Sequence, residues 1–511
     1  MTSLPAAWRR LISAAAGVAL AGAFAPLGWW WLAPFCVAVL VALWMSARTA
    51  REAAMLGFLF QAGTFAVGTW WLYVSIHGFG QAPVWLAFLL MAALVAIMAA
   101  YQALVGWCVV RFLPRTAGIG AMLAIPAAWL FVEWWRGWFL SGFPWLSLGY
   151  VLTDTPLAQL APVGGIYLLS ALVLVAGGAL VALLRGTRRT RIVAAIALLA
   201  PWPLAFWGGR VEWTRPEGPE VSVAVLQGAV PQDLKWLESN AQHILELYTR
   251  LHREALDAEL VIWPESALPA PANDLADYLG RTWSESRRAG ADVLMGVMRV
   301  EDDGETWHNS LMALGREDAP AFYDKHHLVP FGEFFPVPQF VRRWARLMSL
   351  PDNGDFTPGA AVQPPMSVAG TTISASICYE DAYGSVQLPT VRASRLLVNV
   401  TNDAWFGRSS ARGLHFQIAR LRAIEARRFM LRAANDGITA VIDPHGRIVA
   451  QAPEFEPATL RARVQPRRGD TPYLVAGNWP VVGASVIVLI VVGLRRRRAG
   501  SAAAASGATA P

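Results

Sequence analysis

Cys378 stands in the run Ser376-Ile377-Cys378-Tyr379-Glu380-Asp381 and is the only cysteine outside strongly apolar stretches; Cys36 and Cys108 both lie within them. A lone thiol in a polar domain is either an inert buried residue or a nucleophile. A thiol that performs acyl transfer needs two helpers. A base must take its proton, and a carboxylate can do so when burial raises its proton affinity. A cation must hold the oxyanion that forms on the attacked carbonyl. Glu265, in Trp263-Pro264-Glu265-Ser266, and Lys325, in Tyr323-Asp324-Lys325-His326-His327, are of the right types. Taken singly, a loop glutamate is a solvated carboxylate and a lysine before two histidines is surface charge. The trio means something only if a fold gathers it.

The elements around these residues read as an α/β layered domain. Strand-like runs are Val221–Leu226, Leu260–Trp263, Asp292–Val300, Ser310–Leu314, Thr372–Cys378, Leu396–Val400 and Ile438–Ile442. Leu234–Leu256 and Gly413–Ala434 carry helical patterns. Glu265 and Cys378 then fall at strand ends, where such folds keep their reactive groups.

The rest of the chain is different. Of 511 residues 55% are hydrophobic, 24 are tryptophan and only 15% are charged. Before Arg210 the only acids are Glu52, Glu133 and Asp154, and there is no lysine. Eight apolar runs predict membrane spans: Leu11–Pro26, Trp29–Met45, Ala53–Ile76, Val84–Phe112, Ile119–Leu140, Leu160–Leu184, Ile192–Trp207 and Val475–Leu494. The expected organisation is a polytopic α-helical membrane domain over 1–210, a catalytic domain over 215–470, a last span over 475–494 and a basic, low-complexity tail over 495–511. The net charge of +7 comes from arginines clustered at the ends of apolar runs. They read as topology signals, not as a nucleic-acid surface. Arg9 and Arg10, Arg48 and Arg51, Arg111 and Arg115, Arg185 to Arg191, and Arg495 to Arg498 mark every second loop. Both termini are therefore expected in the cytoplasm, with the catalytic domain on the other side of the membrane.

Taken together, Trp263-Pro264-Glu265-Ser266, Tyr323-Asp324-Lys325, Pro330-Phe331-Gly332-Glu333, Cys378-Tyr379-Glu380 and Asn399 to Phe406 resemble the signature stations of the nitrilase, or carbon–nitrogen hydrolase, superfamily. A nitrilase-like domain between membrane spans, with Gln227-Gly228, Pro231-Gln232, Lys235-Trp236 and Gly142-Phe143-Pro144-Trp145, is similar to the apolipoprotein N-acyltransferase family. The resemblance implies a bacterial inner-membrane protein whose αββα sandwich faces the periplasm. It implies transfer of an acyl chain from a phospholipid, with phosphatidylethanolamine the expected donor, to the α-amine of a diacylglyceryl-cysteine lipoprotein. Glu265 would be the base, Cys378 the nucleophile, and Lys325 the oxyanion's cation, together with the Tyr379 N–H. Glu333 would orient Lys325 or the amine, and Trp236, Tyr379 and Glu380 would shape the pocket. No cofactor is implied.

Two other readings stay open on the residues alone. A membrane-tethered amidase would use the same trio without a lipid donor. A catalytically dead scaffold would keep its function in Cys378→Ala. Phe340, Trp344 and Leu347, with Met348, fall on one helical face opposite Arg342, Arg343 and Arg346, and predict an interfacial arm. Glu133 and Arg136 are spaced to pair across a helix turn. The histidines show no metal-site spacing, so no metal is expected.

Overall fold

The computed structural model describes residues 4–315, 319–334 and 355–507. Phe340, Trp344 and Leu347, and with them the expected arm, lie outside the described residues. The chain forms two compact units. One comprises 1–70, 85–211 and 476–511, the other 71–84 and 212–475.

The first unit is helical. Helices α1 (Ala6–Ala21), α2 (Leu32–Met45), α3 (Ala50–Gly68), α4 (Val84–Phe112), α5 (Ile125–Arg136) and α6 (Ala161–Arg185) come first. Among the described residues, four stretches are long and apolar enough to cross a bilayer: Val84–Phe112, Pro156–Arg185, Arg188–Gly208 and Trp479–Arg496. This is a membrane protein with several apolar helices, and the other four expected runs do not form uninterrupted helices that are both long and apolar enough. At 1.5 Å per residue, the 14 residues of α2 reach only about 21 Å against the roughly 30 Å of a hydrocarbon core. The run expected over Ile119–Leu140 is broken. A π-helical turn fills Gly120–Ala124, α5 ends at Arg136, and Leu140 adopts φ +54°. The run expected to end at Ile76 is interrupted after Gly68, a separate π-helical segment follows over Val74–Phe79, and residues 71–84 join the other unit.

Helices here pack through small residues. A Cβ on Gly17 of α1 would lie 1.8 Å from the Phe60 carbonyl oxygen of α3, so the two backbones touch. Ser13 and Thr64 add hydroxyl bonds to Leu56 O and Gly17 O across the same seam. Arg9, read above as a topology signal, is buried against Glu52 at 2.6 Å.

The second unit is a sandwich of two six-stranded sheets. In chain order its strands are β1 (Val221–Gln227), β2 (Leu260–Ile262), β3 (Asp292–Val300), β4 (Trp307–Leu314), β5 (Ala321–Asp324), β6 (Met366–Val368), β7 (Thr371–Ile377), β8 (Leu396–Thr401), β9 (Met430–Ala434), β10 (Ala440–Ile442), β11 (Ile448–Gln451) and β12 (Ala458–Val464). The first sheet runs β12-β1-β2-β3-β4-β5 and the second β11-β10-β9-β8-β7-β6. The strands β1, β2 and β3 are mutually parallel, as are β7, β8 and β9.

Alternation along the strands builds the layers. Val221, Val223 and Val225 of β1 face the other sheet and meet Ile373, Ala375, Ile377, Val398 and Val400. The intervening Ala224 and Leu226 face outward, onto Ile244, Leu247, Tyr248 and Leu251 of α10 (Glu238–Glu254). That i, i+3, i+4, i+7 stripe is why this segment is a helix packed on a sheet. On the opposite face, the helix Ala411–Ala426 covers Leu397, Met430 and Ile442.

The helix expected over Gly413–Ala434 is therefore corrected. Arg427 turns left-handed at φ +52° and ends it, and Met430–Ala434 pairs parallel to β8 as a strand. Cross-strand pairing overrides the helical pattern over its last residues.

Candidate active site

Three loops, each leaving the end of a strand, converge. Glu265 lies three residues beyond β2, Lys325 follows β5 directly, and Cys378 follows β7 directly. Gly296 of β3 lies against the first loop. A Cβ there would come within 2.4 Å of Pro264 O and 2.6 Å of the Glu265 Cα. Only a residue without a side chain lets β3 support that loop.

Glu265 is buried and fully engaged. Its Oε1 accepts from Asn309 Nδ2 at 2.8 Å and faces Lys325 Nζ at 3.5 Å, and its Oε2 accepts from the Asn402 N–H at 2.8 Å. Lys325 is 1% exposed, and its ammonium donates to Glu333 Oε1 at 2.8 Å. Asn309 also donates to Glu333 Oε1, at 2.9 Å, and Glu333 Oε2 accepts from the Val329 N–H at 2.8 Å. Burial would strip the Lys325 proton, but Glu333 and then Glu265 outweigh it, so the pKa rises above the ordinary lysine value and the group stays an ammonium.

Cys378 sits at φ +53°, a conformation a β-substituted residue holds only under constraint. A short 3₁₀ helix, Cys378–Tyr383, follows at once, so the turn from strand to helix presents the thiol at a sharp corner. Burial pushes its pKa well up and Glu265 adds to this, while Lys325 opposes. At neutral pH the thiol keeps its proton, and a base must take it during attack.

The corner is held from beneath. The Cys378 carbonyl accepts from Asn399 Nδ2 and faces His415 Nε2, each at 3.2 Å. The other nitrogen of His415 is 2.8 Å from Asp403 Oδ1, and Asp381 Oδ1 is 3.2 Å from Nε2. Arg432 reaches Asp403 at 3.0 Å, Asp381 at 3.3 Å and Asn399 Oδ1 at 2.5 Å. Burial and Arg432 press the His415 pKa down, but Asp381 and Asp403 overcome both and raise it to about 9. His415 is an imidazolium at neutral pH, with both nitrogens donating.

A pH dependence follows. The folded pKa lies above the ordinary 6.5, so below pH 6.5 this contribution to stability is complete. Between 6.5 and about 9 the unfolded chain loses the proton and the folded one keeps it, and stability falls as pH rises. The total is roughly 3 kcal/mol, since one unit is worth about 1.4 kcal/mol. Thermal unfolding of the purified chain in detergent should show this decline between pH 6 and 9, flattened in His415→Gln. An unchanged pH slope in that variant would rule it out.

Residues 16–179 match the N-terminal domain of apolipoprotein N-acyltransferases, and residues 222–473 match the carbon–nitrogen hydrolases. The apolipoprotein N-acyltransferase of Methylococcus capsulatus is 41% identical over 478 residues, covering 93% of each chain. This chain belongs to the apolipoprotein N-acyltransferase family. The apolipoprotein N-acyltransferases of Chromobacterium violaceum and Vibrio vulnificus are 41% and 38% identical, covering 94% and 93% of this chain and 92% and 94% of theirs. It is an enzyme of the carbon–nitrogen hydrolase superfamily.

In this N-acyltransferase, the structure brings Glu265, Lys325, Glu333 and Cys378 into one charged cluster. Glu380 takes a different place. Its Oε2 accepts from the Ile377 N–H and the Tyr323 hydroxyl, and its Oε1 from the N–H groups of His326 and His327. That carboxylate ties the Cys378 loop to the Lys325 loop. The Tyr379 ring is buried, with its hydroxyl 2.5 Å from that of Tyr383. Trp236 is 44% exposed, beside the buried Lys235.

Asn309, His415 and Arg432 were given no role in the site from sequence, and Asp403 entered only as part of the Asn399-to-Phe406 station. Asn309 and Ser310, two polar residues inside an apolar strand, were a signal. Glu133 and Arg136, in the helical unit, serve its own Gly142–Ser147 loop. Arg136 donates to Phe143 O and Trp145 O at 2.7 and 2.8 Å, and Glu133 accepts from Ser170 Oγ at 2.5 Å and the Leu148 N–H at 3.3 Å.

Proposed function

We propose that the chain moves a fatty acyl group from a membrane phospholipid, through a thioester on Cys378, to the α-amine of a diacylglyceryl-cysteine lipoprotein. One observation carries the assignment of residues: a protonated thiol on a constrained corner, within electrostatic reach of a buried carboxylate and a buried ammonium. Glu265 takes the thiol proton as sulfur attacks the ester carbonyl. The tetrahedral oxyanion lies against the Lys325 ammonium and the Tyr379 N–H. The carbon–oxygen bond breaks, and lysophospholipid leaves with the proton from Glu265. The amine then attacks the thioester, Glu265 accepts its proton, and the thiolate departs and is reprotonated. A thioester is far more reactive toward an amine than the original ester, so it stores the acyl group while the lipids exchange.

The arginine pattern supports eight crossings, both termini in the cytoplasm and the catalytic unit facing the periplasm. Such a placement sets the site at a lipid surface, where water must be kept from the thioester.

Mass spectrometry of the purified chain after incubation with phosphatidylethanolamine tests the cycle. A hydroxylamine-labile acyl adduct is expected on Cys378 and absent from Cys378→Ser. Folded protein that forms no adduct with several phospholipids would overturn the proposal and favour an amidase.

A further inference from the structure

The cycle above leaves one buried cation beside the site without a task. Lys235 ends the short helix α9 (Gln232–Lys235) that follows β1, and it is 1% exposed. Its ammonium makes no hydrogen bond among the described residues, and lies 5.4 Å from the centre of the Trp236 ring. Burying an ammonium without an acceptor costs several kcal/mol. The carboxylate that acts on it is already engaged. Both oxygens of Glu265 serve Lys325, Asn309 and the Asn402 N–H.

The helix bearing Lys235 is also fastened to the same wall. Gln232 Oε1 accepts from Asn402 Nδ2 at 2.8 Å, and the Asn402 N–H is the one that donates to Glu265. Lys235 therefore stays beside the base. Burial pushes its pKa down to about 8, with Glu265 pulling back, so the group is mostly charged at neutral pH.

Charge selects what it binds. In the proposed cycle the acyl donor carries a phosphodiester anion a few bonds from the ester that is cleaved. The acceptor brings an amine, which a neighbouring ammonium does not attract. We propose that Lys235 binds the phosphodiester of the acyl donor in the first half-reaction. This rests on the acyl-transfer reading above and adds a headgroup contact to it. Lys235 makes the site prefer charged lipid esters over neutral ones, with no part in the bond-making itself.

The test compares acylation of Cys378 in the full chain, in detergent, by dioleoylphosphatidylethanolamine and by p-nitrophenyl butyrate, a neutral ester with no phosphate. Lys235→Met should slow acylation by the phospholipid about 10- to 100-fold, the scale of a charge-assisted hydrogen bond. The p-nitrophenolate burst should stay within about twofold of wild type, and Lys235→Arg should recover part of the phospholipid rate. Methionine removes a buried unpaired charge, so its melting temperature should match or exceed wild type and exclude misfolding. An equal loss on both esters would mean that Lys235 acts through Glu265, and would overturn the inference. Wild-type rates on both would overturn it too, while leaving the thioester cycle intact. If wild type itself forms no adduct, the cycle fails first and takes this inference with it.

Discussion

Glu265→Gln is expected to slow acylation of Cys378 by about 10³-fold, within the 10²- to 10⁴-fold range of a lost general base. The reason is the state of the thiol. Burial and the Glu265 charge hold Cys378 protonated, so no standing thiolate exists to attack unaided. Glutamine keeps the shape, and its oxygen can still accept from Asn309. Its amide cannot also accept from the Asn402 N–H, so one of three bonds is lost. Stranding that buried donor costs about 1–3 kcal/mol of stability, less than the roughly 5–15 kcal/mol that holds a folded protein together. Stopped-flow acylation with a phospholipid donor separates the two effects, because a folding defect lowers the amplitude and a lost base lowers the rate. A rate within tenfold of wild type would sink the assignment of Glu265 as base.

Arg432→Met should destabilise the catalytic unit by about 3–5 kcal/mol, the cost of stranding buried charge. Arg432 is 0% exposed and is shared by Asp381, Asp403 and Asn399. Without it two buried carboxylates face a single His415 imidazolium. At about 2–4 °C per kcal/mol for a unit of this size, the melting temperature should fall by roughly 6–20 °C. The surface pair Arg253–Glu285 has a contact of 2.7 Å, shorter than either Arg432 ion pair, but is solvated, and Arg253→Met should leave the melting temperature unmoved. Equal effects from the two substitutions would refute the buried-cluster argument. Activity should suffer in Arg432→Met even below its melting point, since Asn399 and His415 are what grip the Cys378 carbonyl.

Glu265 and Cys378 were legible in the sequence because each closes or follows a strand, and a strand's end is a local property, whereas Lys325 was picked out by its motif and its strand, Ala321–Asp324, emerges only in the structure. What the sequence hid depends on which strands become neighbours. Asn309 matters because β5 pairs with β4, which brings the Lys325 N–H to Asn309 O at 2.8 Å. Arg432 matters because β9 lies beside β8, opposite Asn399. Neither pairing can be read from the residues alone. The apolar runs misled in another way. Hydropathy cannot distinguish apolar surface meant for lipid from apolar surface meant for protein. Trp71 and Ser75 belonged to the third run on paper, but Trp71 packs on Phe406 and Ser75 donates to Trp405 O at 2.8 Å, while Phe79 just beyond the run packs on Trp405.

Gly296 shows how far a motif can be trusted when genomes are sorted by it. A gene could retain every acidic, basic and thiol residue of the site, encode the same sandwich, and still yield a dead enzyme. One methyl group at this strand position would collide with the backbone beneath Glu265. A survey of which homologues are competent should therefore include a position that offers no functional group at all.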